Sequence, residues 1–249
     1  MKDALIGHRG EPETWPENSL AGFEAALAAG ARYVETDVQL TADSIPVLSH
    51  DPSLFRVTGE NVVINETDYA TVRAVPAGYQ ERFGDIYQDF RIARLDEFVT
   101  LLKQWPRARA FVEIKHASLK THGAARVVDI VMNAIRPVAT QCVLISFDYD
   151  ALTYTREHYG IPLGWVLPEC SETNQSRAVE LGPAYLFCNR KRLPPETEPL
   201  WPGPWQWAIY TVNDTSEAKA YLDRGIQLIE TNVIRELLSA SGTGLAEHD

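Results

Sequence analysis

Strand-like and helix-like runs alternate along this chain about eight times, the number that closes a parallel barrel, and no other feature limits the fold as tightly. Strand starts fall at Ala4, Tyr33, Ala110, Val143, Leu163, Tyr185, Trp205 and Gln227. Apolar residues recur at helical spacing near 20–30, 95–105, 124–135, 150–158, 172–181, 216–224 and 234–240. Parallel neighbours need a long crossover, usually a helix, so this alternation predicts an α/β fold, a (β/α)8 TIM-type barrel. An open doubly wound sheet is the competing architecture. Its glycine-rich phosphate turn, G-x-G-x-x-G or G-x-x-x-x-G-K, does not occur. The length of 249 residues is ordinary for one barrel, so a single domain over 1–249 is expected.

Two stretches interrupt the alternation. Residues 46–49 read as a short return segment that carries His50 back beside Glu35 and Asp37. Residues 52–94 lose regular spacing and hold Gly59, Pro76, Gly78 and Gly84 among the aromatics Tyr69, Tyr79, Phe83, Tyr87 and Phe90. A segment this long between a strand and its helix is a functional insertion or lid, or else a decorative subdomain. A proline-rich loop is expected over 191–204, and the tail beyond Ser241 is expected to fray.

Side chains alternate between the two faces of a strand, so His8 shares a face with Ala4 and Ile6, and Glu35 lies with Asp37. In the third strand Phe111, Glu113 and Lys115 share a face. Two acids side by side on one face repel and are costly to bury unless a cation neutralises them, so a metal is the simplest reading. In a parallel barrel the site lies at the C-terminal strand ends, where His8, Glu35, Asp37, Glu113 and Lys115 all fall.

The formal charge of −11 argues against nucleic acid or anionic membrane surfaces as partners, since both are polyanions that require clustered Lys and Arg. No apolar run is long enough to span a bilayer, and the first strand starts too early for a leader, so a cytoplasmic protein without stable membrane insertion is expected. Cys142, Cys170 and Cys188, odd in number and widely spaced, read as small buried hydrophobes rather than as a disulfide framework or zinc site. His116, His122, His158 and His248 read as solvated, and Trp207 as core with Trp205 and Ile209. Glu17 and Asn18 read as caps of the first helix, and Asp51 as orienting His50.

The blocks His8-Arg9-Gly10, Pro16-Glu17-Asn18-Ser19, Glu35-Thr36-Asp37-Val38, Pro46-Val47 with His50-Asp51, Val112-Glu113-Ile114-Lys115, Ser146-Phe147 and Tyr210-Thr211-Val212-Asn213 together resemble the glycerophosphodiester phosphodiesterase family. The resemblance covers nearly the whole chain. It implies a TIM-type barrel with 52–94 as an insertion covering the alcohol end of the substrate. It also implies one divalent cation held by Glu35, Asp37 and Glu113, and His8 and His50 as the acid/base pair. Hard oxygen ligands suit Mg²⁺ or Ca²⁺, and Arg9 and Lys115 would add positive charge for the phosphate. The reaction implied is hydrolysis of a small glycerophosphodiester to sn-glycerol 3-phosphate and an alcohol. Alternatives are a lysophospholipase D-type hydrolase and a barrel that only binds phosphorylated ligands. The chain departs from the family at Ser44, where glycine is usual, at Tyr210, where tryptophan is common, and at Glu230-Thr231-Asn232, in place of a Thr-Asp ending.

Overall fold

The computed structural model describes residues 1–242. Its strands are β1 (Leu5–His8), β2 (Tyr33–Leu40), β3 (Pro46–Leu48), β4 (Arg109–Ile114), β5 (Cys142–Ser146), β6 (Leu163–Val166), β7 (Tyr185–Asn189), β8 (Gln206–Tyr210) and β9 (Leu228–Thr231). All but β3 pair in parallel, in the order β1-β9-β8-β7-β6-β5-β4-β2, and a β1–β2 pairing closes the ring. The predicted barrel is therefore the observed one. β3 lies outside it, antiparallel to β2 through Val38↔Leu48 and Leu40↔Pro46, as the return segment required.

Period-two patterning places the layers. Ile6, Phe111, Val143, Ile145, Val166, Tyr185, Phe187, Ala208 and Leu228 fill the barrel interior, while Leu5, Val34, Val38, Val112, Leu144 and Leu186 face the helices outside. The outer ring includes α1 (Leu20–Ala28), and its Phe23 meets Phe98 at a ring separation of 4.7 Å. Trp205, Trp207 and Ile209 are buried in this outer layer, as expected.

Between β3 and the helix Leu95–Leu102 the chain is not featureless. It forms the short helices Phe55–Thr58, Tyr69–Ala74 and Gln80–Phe83, and Leu54, Ile64, Val72, Ala77 and Ile92 join Val47 in a separate apolar cluster. Helices of four to six residues bury too few positions to show a periodic stripe, which is why the pattern looked irregular. A helix over His116–His122, also too short to be signalled, precedes the helix Ala124–Ile135. The last helix runs Ile234–Gly242, and the tail expected to fray lies otherwise outside the described residues.

One local reading is corrected here, and one departure from the family is explained. Ser19 caps α1, its hydroxyl accepting from the Gly22 amide at 3.1 Å, because Asn18 is committed elsewhere. Ser44 takes the left-handed conformation at φ 65°, the position where a glycine would carry no Cβ penalty, at a cost of about 1–2 kcal/mol. Its hydroxyl accepts from Arg126 at 3.0 Å, which offsets part of that cost. Gly10, at φ 89°, could not be replaced: a Cβ there would stand 2.8 Å from the Gly22 carbonyl carbon, so the first loop lies directly on α1. Among the described residues no helix is long and apolar enough to cross a membrane.

Candidate active site

The register carries His8, Glu35, Asp37 and Glu113 to one end of the barrel: His8 pairs with Glu35 across β1 and β2, and Asp37 with Glu113 across β2 and β4. All of them are buried or nearly so. One oxygen from each of Glu35, Asp37 and Glu113 can be chosen so that the three lie within 4.8 Å of one another.

Positive charge is packed against these acids. Lys115, just past β4, places Nζ 2.7 Å from Glu113 and 3.1 Å from Asp37. Arg9 adopts φ 56°, which turns its side chain inward, with Nε 3.1 Å from Asp37 and Nη1 3.1 Å from Glu17. Asn18, also left-handed at φ 57°, donates from Nδ2 to Asp37 at 3.0 Å, while its Oδ1 accepts from the Thr36 hydroxyl at 2.9 Å and the Asp37 amide at 3.2 Å. Two non-glycine residues held in this region mark a loop whose backbone serves the site rather than its own comfort.

Burial pushes the Asp37 carboxyl upward, but Lys115 and Arg9 outweigh it and hold Asp37 well below the usual carboxylate range. Glu35 goes the other way. Burial, then repulsion from Asp37, Glu230 and Glu113, raises it well above that range, and the Arg9 backbone amide donates to Oε2 at 3.2 Å while Oε1 is buried with no hydrogen-bond partner. Glu113 is raised too, since burial and Asp37 prevail over Lys115. An orphaned buried oxygen among three hard oxygen donors fits a divalent cation of the Mg²⁺ or Ca²⁺ type.

The two imidazoles are held differently. His8 donates from Nδ1 to Asn232 Oδ1 at 2.8 Å, which turns Nε2 toward Glu35 at 3.9 Å. That contact is not an ion pair: burial, then Arg9, lowers His8 to about 4, so the ring is neutral. His50 donates from Nδ1 to Asp51 at 2.7 Å, and Asp51 accepts from Arg56 Nε at 2.6 Å. Arg56 in turn reaches Glu17 at 2.7 Å. Asp51 thus contacts its neighbour as the sequence suggested, whereas Glu17 is a charge partner for two arginines rather than a helix cap.

A cavity of about 190 Å³ joins these groups, lined on the polar side by His8, Arg9, Asp37, His50, Glu113 and Lys115. Its other wall is apolar, from Ile145, Phe147, Val166, Phe187 and Tyr210. Glu230 also lines it, buried, raised well above the usual range by burial and by Glu113 and Asp37, with no ion pair or hydrogen bond to its carboxylate among the described residues. Neither Asn232 nor Glu230 was chosen from the sequence. Barrel closure was the available signal, since it pairs Ile6 with Glu230 and so sets Asn232 level with His8.

Residues 8–236 match the model of the glycerophosphoryl diester phosphodiesterase family, from the first site histidine to the last helix. The chain belongs to this family. Curated relatives include the uncharacterized protein YqiK of Bacillus subtilis, 28% identical over 155 residues, 59% of either chain. The glycerophosphodiester phosphodiesterase of Caldanaerobacter subterraneus is 34% identical over 102 residues, 41% of either chain. The matched stretches thus span less than two thirds of these relatives. Among solved structures, an Oleispira antarctica phosphodiesterase in complex with the product sn-glycerol 3-phosphate superposes with a TM-score of 0.84 at 24% identity, over 96% of this chain and 97% of that one. The glycerophosphodiester phosphodiesterase of Thermotoga maritima gives 0.70 at 23% identity, over 95% and 97%. At such identities these likenesses speak for the fold that all of them share.

Asn232 is the neutral acceptor that orients His8, so Asn232→Ala should reduce kcat about tenfold, the loss of a part-buried hydrogen bond of about 1–1.5 kcal/mol, with little change in KM. Steady-state kinetics beside a circular dichroism spectrum checks this; an unchanged kcat would remove Asn232 from the site.

Proposed function

We propose that this protein hydrolyses glycerophosphodiesters to sn-glycerol 3-phosphate and an alcohol. The observation that carries the reading is the convergence, at one end of the barrel, of three carboxylates that can each bring an oxygen within 4.8 Å of the others, two of them lining one cavity with two imidazoles and two fixed cations. A phosphodiester is an anion that repels nucleophiles, so its hydrolysis needs positive charge at the non-bridging oxygens and a proton route at the attacking and leaving oxygens. Glu35, Asp37 and Glu113 would hold the divalent cation, which when bound supplies Lewis-acid polarisation of the phosphate. Arg9 and Lys115 would face the phosphate as well, each already anchored by Asp37.

His8, neutral and oriented by an amide, is assigned as the base that takes a proton from the attacking hydroxyl or water. His50 is lowered by burial too, but its Nδ1–H faces the Asp51 carboxylate, which opposes that lowering, and it is assigned as the acid that protonates the leaving alcohol. Residues 52–94 would act as a lid, because Arg56 from this segment braces both Asp51 and Glu17. The apolar wall with Phe147, 40% exposed, supports a second reading in which an acylated substrate is cleaved by the same chemistry.

Purified protein given glycerophosphocholine, glycerophosphoethanolamine or a lysophospholipid, with Mg²⁺, Ca²⁺ or a chelator, tests this by glycerol 3-phosphate release. Metal-dependent turnover of the first two is expected. Turnover of the lysophospholipid alone would favour the second reading, and none at all would leave a binding protein.

A further inference from the structure

Away from the catalytic groups, Cys170 and Cys188 stand with their sulfur atoms 3.7 Å apart. Cys188 lies near the end of β7 and is fully buried, while Cys170, in the loop after β6, is only partly covered. β6 and β7 are neighbours in register, Val166 against Phe187, and the Leu167 amide donates to the Phe187 carbonyl at 2.8 Å, so the loop leaves the barrel directly beside Cys188. The far end of that loop is held as well: Ser171 caps the helix Glu172–Leu181, and Asn174 donates to the Glu169 carbonyl at 3.0 Å. The third cysteine, Cys142, is buried on β5 with no thiol near it. Two of the three thiols are thus in contact, one on a partly covered residue and one on a buried residue.

We propose that Cys170 and Cys188 form an oxidative modification site, in which Cys170 is attacked by a hydroperoxide and Cys188 resolves the product to a disulfide. The Cys170 thiolate attacks the distal peroxide oxygen; the O–O bond breaks, sulfur is oxidised to a sulfenic acid, and water or an alcohol leaves with the reduced oxygen. The Cys188 sulfur then attacks Cys170 Sγ, forming the S–S bond and breaking the S–O bond, and its proton leaves with the sulfenic hydroxyl as water. Overall, two thiols and one hydroperoxide give one disulfide, one water and one further water or alcohol. The sulfurs must close from 3.7 Å to about 2.05 Å, an adjustment that the loop can supply without disturbing the strands.

The division of labour has support beyond exposure. A hydrogen bond from Cys188 holds Cys170 below the usual thiol range, assisted by Arg224 against the effect of burial, whereas Cys188 is pushed up by the same hydrogen bond and by burial. The thiolate is the attacking species, so Cys170 is the more reactive partner. The disulfide would tie the loop to the strand end whose Phe187 lines the catalytic cavity. This inference does not depend on the hydrolase reading.

The test exposes the reduced full chain to hydrogen peroxide, quenches with catalase, and counts thiols after denaturation. Titration is expected to fall from three thiols to one, with an intact mass lower by about 2 Da and a peptide cross-link between positions 170 and 188. Cys188→Ser should stop at a dimedone-reactive sulfenic acid on Cys170, and Cys170→Ser should keep its two thiols under the same exposure. Three thiols left in the oxidised wild type, or Cys170 passing to sulfinic acid without the cross-link, would overturn the proposal.

Discussion

His50→Ala is expected to lose about 10² to 10⁴ in kcat on glycerophosphocholine, yet keep most of its activity on the p-nitrophenyl ester of glycerol 3-phosphate. The choline hydroxyl is a poor leaving group that must receive a proton as the P–O bond breaks, whereas p-nitrophenolate departs without one. His8→Ala should lose a similar factor on both substrates, because neither leaving group replaces a base at the attacking oxygen. The asymmetry follows from the surroundings: burial, then Arg9, lowers His8 to about 4 in spite of its 2.8 Å hydrogen bond to Asn232, whereas at His50 the Asp51 carboxylate at 2.7 Å opposes the lowering that burial imposes. If both variants responded alike to the better leaving group, the division of roles would fail. If both stayed active on glycerophosphocholine, the pair would not be catalytic at all.

Divalent cation should raise the melting temperature as well as restore activity. In the metal-free chain Glu35, Glu113 and Glu230 are each raised by burial and mutual repulsion. A group whose folded pKa exceeds its unfolded value binds more protons when folded, so these three make the metal-free protein less stable as pH rises above the unfolded carboxylate range. A cation that binds only the folded state adds about 2.7 kcal/mol at a hundred times its Kd. For a chain of this length, that corresponds to roughly 5–10 °C. Because the ligands must be deprotonated, the shift should be larger at pH 8 than at pH 5. Scanning calorimetry with Mg²⁺, Ca²⁺ or chelator measures it, and Glu35→Gln should abolish most of the shift. A melting temperature indifferent to cations at both pH values would exclude a bound metal in this cluster.

The legible part of the site was the part set by strand period. Glu35 and Asp37 two apart, and Glu113 beside Lys115, identify an inward polar face from a handful of consecutive residues. Asn18 was misread for the opposite reason. Its type suits a helix cap, and its neighbour Ser19 suits one equally; only the left-handed turn at Asn18 sends it to Thr36 and Asp37. The same holds for Glu17, whose partner Arg56 lies in the insertion, 39 residues away in sequence. The small helices of that insertion were invisible because each is shorter than two turns.

By itself the sequence determined the number of strand-helix repeats that close the barrel, which side chains point into it and the family to which the chain belongs, because all three are written in local periodicity and in short ordered motifs. Tertiary structure decided what meets across the closure. Asn232 reaches His8 from 224 residues away, and Glu230 lines the cavity only because β9 pairs with β1. Period tells each strand which side to bury; only the closing of the ring settles which strands stand side by side, and so which polar groups share a low-dielectric cavity where each changes the charge of the next.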